Sequence, residues 1–190
     1  MIFLAYRLTL IPTAACLASL SVAEQAYSQT LSKKRCHEFV SGRALVRQLV
    51  SAAGFRPAEV SISLPADHAP QLYLDKQPLS LSISHSRNAI CAAIAQEPIG
   101  VDLELCRPRD FSALGNQYFA LESCRSEREF YQLWTACEAY SKYSGKRLWS
   151  VLQQALPTDI SFRYFSLAEN LLCLCSRTAD TEIKNLGELL

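Results

Sequence analysis

The run Ile99-Gly100-Val101-Asp102-Leu103-Glu104-Leu105 constrains this chain more than any other segment, because its two carboxylates alternate with branched apolar residues. Side chains alternate sides along a strand, so Ile99, Val101, Leu103 and Leu105 face one way and Asp102 and Glu104 the other. The apolar side demands burial. The acidic side brings two like charges together, which raises the pKa of each unless a cation or another partner relieves them. A bound cation is one way to keep both ionised, and a solvated sheet surface is the other. The pair alone leaves both open.

At 190 residues, 49% hydrophobic and 19% charged, the chain can bury a core as one domain or two small ones. A net charge of +1 excludes a nucleic-acid binder driven by bulk electrostatics, although Lys33-Lys34-Arg35 can serve as a local anion site. No stretch is apolar enough over a sufficient length to predict a membrane span, and no repeat is present. The eight cysteines are dispersed and form no CxxC pair, so zinc-ribbon and thioredoxin-like motifs are absent. Cys173 and Cys175 share one face of a predicted strand, and buried thiols in a reducing, cytoplasmic setting account for the set.

The N-terminus reads in two ways. Arg7, the apolar run from Leu8 to Ala23 and the ending Ser21-Val22-Ala23 imitate a signal peptide, although Pro12 and several hydroxyl residues dilute the run. The alternative, which we adopt, is a first strand from Ile2 to Leu10 and a helix opened by Ser21 and Glu24 at capping-box spacing.

Beyond it, helical spacing of Cys36, Phe39, Val40, Leu49 and Val50 predicts a helix from about Lys33 to Ala53, stopped by Gly54 and basic along Arg35, Arg43 and Arg47. Val60, Ile62 and Leu64 alternate as a strand, and Leu72-Tyr73-Leu74 leads into a turn, Asp75-Lys76-Gln77-Pro78. Leu79, Leu81 and Ile83 alternate again and deliver Ser84-His85-Ser86 to a strand end, where functional groups commonly sit. Ala89 to Ala95 reads as a buried strand, broken by Glu97-Pro98 before the acidic strand. A polar connection, Arg107 to Asp110, precedes a short segment with Tyr118, Phe119 and Glu122.

Ser126 and Glu129 then open a second helix, which runs to Ser144 and stops at Gly145. Phe130, Leu133, Cys137 and Tyr140 form its apolar stripe, while Trp134, Glu138 and Lys142 follow at i, i+4 steps on an adjacent face. Ile160, Phe162 and Tyr164, and then Leu171 to Cys175, predict two further strands.

Three blocks now stand in order: Ser84-His85-Ser86, Ile99-Gly100-Val101-Asp102-Leu103-Glu104, and Trp134-Thr135-Ala136-Cys137-Glu138-Ala139-Tyr140-Ser141-Lys142 with Gly145. Together they resemble the 4'-phosphopantetheinyl transferase superfamily, Sfp type. Lys34-Arg35-Cys36-His37-Glu38-Phe39-Val40-Ser41-Gly42-Arg43 is similar to its "KRxxEFxxGR" region, and Leu20-Ser21-Val22-Ala23-Glu24 to its entry into the first helix. The resemblance covers residues 20 to 150. It implies an α+β fold, a pseudo-twofold pair of subdomains each with a small antiparallel sheet and a packed helix. Residues 1–96 would form an N-terminal half with the coenzyme A phosphate contacts, and residues 97–190 a C-terminal half with the metal-binding carboxylates.

The resemblance also implies a reaction: transfer of the 4'-phosphopantetheine arm of coenzyme A to a serine of an apo acyl or peptidyl carrier protein, by a cytoplasmic monomer that engages neither nucleic acid nor membrane. Asp102, Glu104 and Glu138 would hold magnesium, with manganese as the alternative, since hard oxygen ligands suit either ion. Glu138 would also, or instead, take the serine proton, and Lys142 would stand against the pyrophosphate as charge moves to the leaving group. Arg43, Arg35, Lys76, Ser84 and His85 would hold coenzyme A phosphates, whereas His37 and His68 have no such support. Two positions depart from the family: Cys137 replaces a lysine often found there, and Asp75 replaces the glycine before Lys76. A metal-dependent phosphate-ester hydrolase and a secreted, disulfide-bonded, non-catalytic domain are the competing classes.

Overall fold

The computed structural model describes residues 1–9, 12–56, 59–64, 69–119, 124 and 126–189; His68 and Glu122 lie outside them. The chain divides into two units. The first comprises Met1–Glu97 with the segment beginning at Glu182, and the second is Pro98–Thr181. The first unit opens with β1 (Ile2–Arg7), α1 (Ala14–Ala18), α2 (Val22–Ser28) and α3 (Lys33–Ala52). It continues through β2 (Val60–Ile62), β3 (Leu72–Leu74), β4 (Gln77–Ser86) and β5 (Ala89–Ala95). The second holds β6 (Ile99–Leu105), α4 (Phe111–Tyr118), α5 (Glu127–Ser144), α6 (Leu148–Leu152), β7 (Ser161–Leu167) and β8 (Asn170–Ser176). Strand β9 (Ile183–Glu188) closes the chain. The fold class is α+β, and no helix of the described residues is long and apolar enough to cross a membrane.

In the first unit, the described strands form a sheet in the order β2-β3-β4-β5-β1-β9. The uninterrupted apolar sequence of β5 is buried throughout, as a central strand requires. Leu45, Val46, Leu49 and Val50 of α3 pack with Ala5, Ile90, Ala92 and Ile94 of the sheet. The expected first strand ends at Arg7 rather than Leu10, and the short helix α1 follows it where the sequence pattern predicts none. The capping box is formed as expected: Ser21 N–H donates to Glu24 Oε2 at 2.8 Å and Glu24 N–H to Ser21 Oγ at 3.3 Å. Glu24 is only 1% exposed and also meets Arg43 at 3.5 Å and Arg47 at 2.5 Å, so the cap of α2 is tied to α3 by charge.

The predicted four-residue turn is tighter than expected. Leu74 pairs with Gln77, leaving Asp75 and Lys76 as a two-residue loop with φ of +46° and +67°, and Gln77 and Pro78 already belong to β4. Two positive φ values match the twist of a hairpin. Ser84, His85 and Ser86 likewise lie within β4, paired with Cys91, Ile90 and Ala89, rather than on a loop. The C-terminal segment departs from the expected division at residues 96 and 97. β9 pairs parallel to β1, with Ile2 opposite Ile183, and Leu186 packs against the first core, so this segment belongs to the first unit.

The second unit is an antiparallel sheet, β6-β8-β7, covered by α5. Asp102 lies opposite Cys173 and Gly100 opposite Cys175, so these four share a face, and Cys173 and Cys175 pack against Ala136 and Ala139 of α5. The acidic side of β6 is therefore under the helix rather than in solvent, and Asp102 is 2% exposed. Gly100 makes the approach possible, since a Cβ built there would stand 1.9 Å from the Ala139 carbonyl oxygen. Helix α5 begins and ends as expected, with Ser126 Oγ accepting from Glu129 N–H at 3.2 Å and Gly145 in the left-handed region. Cys137 packs with Phe119, Phe130 and Tyr131, in keeping with its place on the apolar stripe. All eight cysteines are thiols, six of them buried, which leaves a disulfide-bonded domain without its framework.

Candidate active site

The second unit gathers a lysine and three carboxylates. Lys142, one turn after Glu138 on α5, donates from Nζ to Asp102 Oδ1 at 2.8 Å and to the Val101 carbonyl at 3.0 Å. Glu138 is pushed up to about 7, first by burial, then by the Asp102 charge, with Glu104 adding to the rise and Lys142 opposing it. The 3.6-residue period that puts Glu138 and Lys142 on one face also brings them over the carboxylates of β6. Among the described residues no three His, Cys, Asp or Glu side chains form a ready-made metal cage. The thiols on the same face do not compete as ligands or nucleophiles at neutral pH, because burial raises both Cys173 and Cys175, the latter to about 12.

In metal-free protein the Glu138 carboxyl is expected to titrate near 7 when followed by carbon NMR. Asp102→Asn should lower that value by removing a like charge, and Lys142→Met should raise it by removing the opposing one. A Glu138 midpoint in the ordinary carboxylate range would show that the three acids do not interact as described.

The first unit contains a cavity of about 410 Å³ between α2, α3 and β4, whose lining includes Tyr27, Phe39, Arg43 and His85. Arg43 is 2% exposed; it donates from Nη2 to the Ser63 carbonyl at 2.6 Å, and its guanidinium lies 5.0 Å from the Phe39 ring centroid. Its Nη1 is buried with no hydrogen-bond partner among the described residues, a cost that an anion in the cavity would relieve. Tyr27 and Phe39, whose centroids are 5.1 Å apart, give the cavity an aromatic wall. The sequence singles out neither for binding, because an aromatic residue at helical spacing is ordinarily core.

The structure brings Arg43 and His85 together but not the whole predicted phosphate-binding set. Ile83 and His85 face this cavity, so Ser84 points to the other side of β4 and is buried. Lys76 sits at the opposite end of β4, roughly 30 Å from His85 along an extended strand. Arg35 also lines the cavity.

Comparison with known proteins points to one family. Residues 23–95 match the family model of the 4'-phosphopantetheinyl transferase N-terminal domain. A 4'-phosphopantetheinyl transferase of Bacillus subtilis is 30% identical over 139 residues, covering 67% of this chain and 58% of the relative. The 4'-phosphopantetheinyl transferase HetI of Nostoc sp. is 30% identical over 121 residues, 56% of this chain and 51% of the relative. A putative 4'-phosphopantetheinyl transferase of Synechocystis sp. is 31% identical over 127 residues, 60% and 51% of the two chains. The chain thus spans only about half the length of the curated relatives it matches.

Proposed function

Because the chain belongs to the 4'-phosphopantetheinyl transferase superfamily, we propose that it transfers the phosphopantetheine arm of coenzyme A to a serine of an apo acyl or peptidyl carrier protein, as an Sfp-type enzyme. The observation that carries this reading is the placement of Glu138 and Lys142 of α5 over the carboxylate face of β6, with Lys142 on Asp102 at 2.8 Å. The cavity holding Arg43 and His85 supports a nucleotide end to the substrate. The same reading makes the protein a cytoplasmic monomer.

In the proposed reaction the serine hydroxyl attacks the phosphorus that bears the pantetheine group. A new P–O bond forms as the P–O bond to adenosine 3',5'-bisphosphate breaks, and the leaving group carries away the negative charge. Glu138 takes the serine proton, directly or through one water, because a hydroxyl is a poor nucleophile at neutral pH. Lys142, tethered to Asp102, stands as a fixed cation against the charge moving towards the leaving oxygen. Asp102, Glu104 and Glu138 fit magnesium, or manganese, by donor chemistry: all are hard oxygens, and their mutual repulsion is what a cation removes. A bound ion would supply charge neutralisation at the pyrophosphate.

The test is a panel of apo carrier proteins incubated with the protein, coenzyme A and magnesium and read by mass spectrometry. One carrier should gain a single phosphopantetheine. Release of phosphate from coenzyme A with no carrier gain would replace the transferase reading with a hydrolase.

A further inference from the structure

Asp102 needs a positive charge beside it whether or not a metal is bound, because its side chain is only 3% exposed beneath α5 and an uncompensated carboxylate in such a place is strongly unfavourable. Lys142 supplies that charge. Its Nζ donates to Asp102 Oδ1 at 2.8 Å and to the Val101 carbonyl at 3.0 Å, so the ammonium is held against β6 by two oxygens. The lysine is the open partner of the pair, with its side chain 30% exposed. The buried pair of the first unit is built differently: the Arg43 and Glu24 side chains are 3% and 2% exposed, and neither reaches water. A sealed arginine is a permanent counter-ion. A lysine on a flexible four-carbon stem with a route to solvent is one that can be exchanged.

Asp102 is also one of the three carboxylates proposed to hold magnesium. A metal ion brought to it meets a charge already countered by an ammonium in hydrogen-bond contact, and it must share the carboxylate with that cation or displace it. Either lowers its affinity. We propose that Lys142 is the stand-in cation of the metal-free protein: it keeps the buried Asp102 compensated and, through the same contact, holds the affinity for magnesium low. This rests on the reading of Asp102, Glu104 and Glu138 as metal ligands, and adds to it the residue that sets how tightly the metal is held.

Isothermal titration of magnesium alone into the wild type, Lys142→Met and Lys142→Arg tests it, at about pH 8.5 so that Glu138 is ionised. Lys142→Met should bind magnesium about tenfold more tightly than the wild type, and Lys142→Arg, which keeps the charge, should show no such gain. In EDTA, Lys142→Met should melt below the wild type, because Asp102 has lost its cation, and saturating magnesium should raise its melting point by more than it raises that of the wild type. An unchanged or weaker magnesium affinity in Lys142→Met overturns the proposal and marks the lysine as a support of the metal site rather than its rival. A gain of the same size in Lys142→Arg also overturns it, since the effect would not follow the charge. If Lys142→Met is unfolded in EDTA, circular dichroism decides: recovery of folded protein on adding magnesium supports the proposal, and failure to recover overturns it. Absence of magnesium binding in all three proteins removes the metal reading as well, whereas equal binding by all three leaves that reading standing and removes only the role given to Lys142.

Discussion

Asp102→Asn is expected to lower kcat/KM for carrier modification by about a thousandfold while leaving the chain folded, as befits loss of a charged group that contacts Lys142 and is proposed to hold the metal. Asparagine preserves the shape of a side chain that is 2% exposed under α5, so the packing of β6 against Ala136, Ala139 and the two thiols is retained. It removes one of three carboxylates proposed for magnesium and the anionic anchor that Lys142 contacts at 2.8 Å. Two readouts separate this from a merely structural role. The thermal melting point should stay close to that of the wild type, and raising magnesium should recover part of the activity, because a weakened metal site responds to mass action and a misfolded one does not. Wild-type activity in Asp102→Asn would remove Asp102 from the chemistry and with it the central support for the transferase mechanism.

Much of this arrangement is legible in the sequence, and the reason lies in the range of the signals. The alternation of Ile99 to Leu105, the period of α5 and the caps at Ser21, Ser126 and Gly145 are written within one or two turns of chain, and each is formed. What could not be read depends on distant partners. β9 pairs with a strand about 180 residues earlier, and its short Ile183-Lys184-Asn185-Leu186 pattern carries no local mark of that neighbour. Glu24 and Glu38 look like solvated helix positions until α2, α3 and β4 close around them, since charged residues are buried only when paired. Lys76 and His85 both belong to predicted phosphate-binding motifs, yet the ten residues of β4 hold them apart. A motif order along the sequence says nothing about that separation.

The same limit applies to Gly100, whose role emerges only from the helix above it, and its replacement tests the geometry of the second unit directly. In Gly100→Ala the added Cβ would lie 1.9 Å from the Ala139 carbonyl oxygen and 2.8 Å from the Tyr143 nitrogen, both backbone atoms that no side-chain rotation can clear. Helix α5 must lift from β6 or the strand must bend, at an expected cost of about 3 kcal/mol, the upper end for overpacking in a well-filled interior. Gly145→Ala provides the contrast: φ there is +70° and nothing lies within 4 Å of its Cβ, so only the left-handed backbone penalty of about 1 kcal/mol applies. Urea denaturation should therefore rank Gly100→Ala well below Gly145→Ala. Lifting α5 also carries Glu138 and Lys142 away from Asp102, so the surviving folded Gly100→Ala protein should lose carrier modification along with stability. A Gly100→Ala protein as stable as the wild type would mean that α5 does not rest on β6 through this glycine, and the lysine-carboxylate contact built on that seat would fall with it.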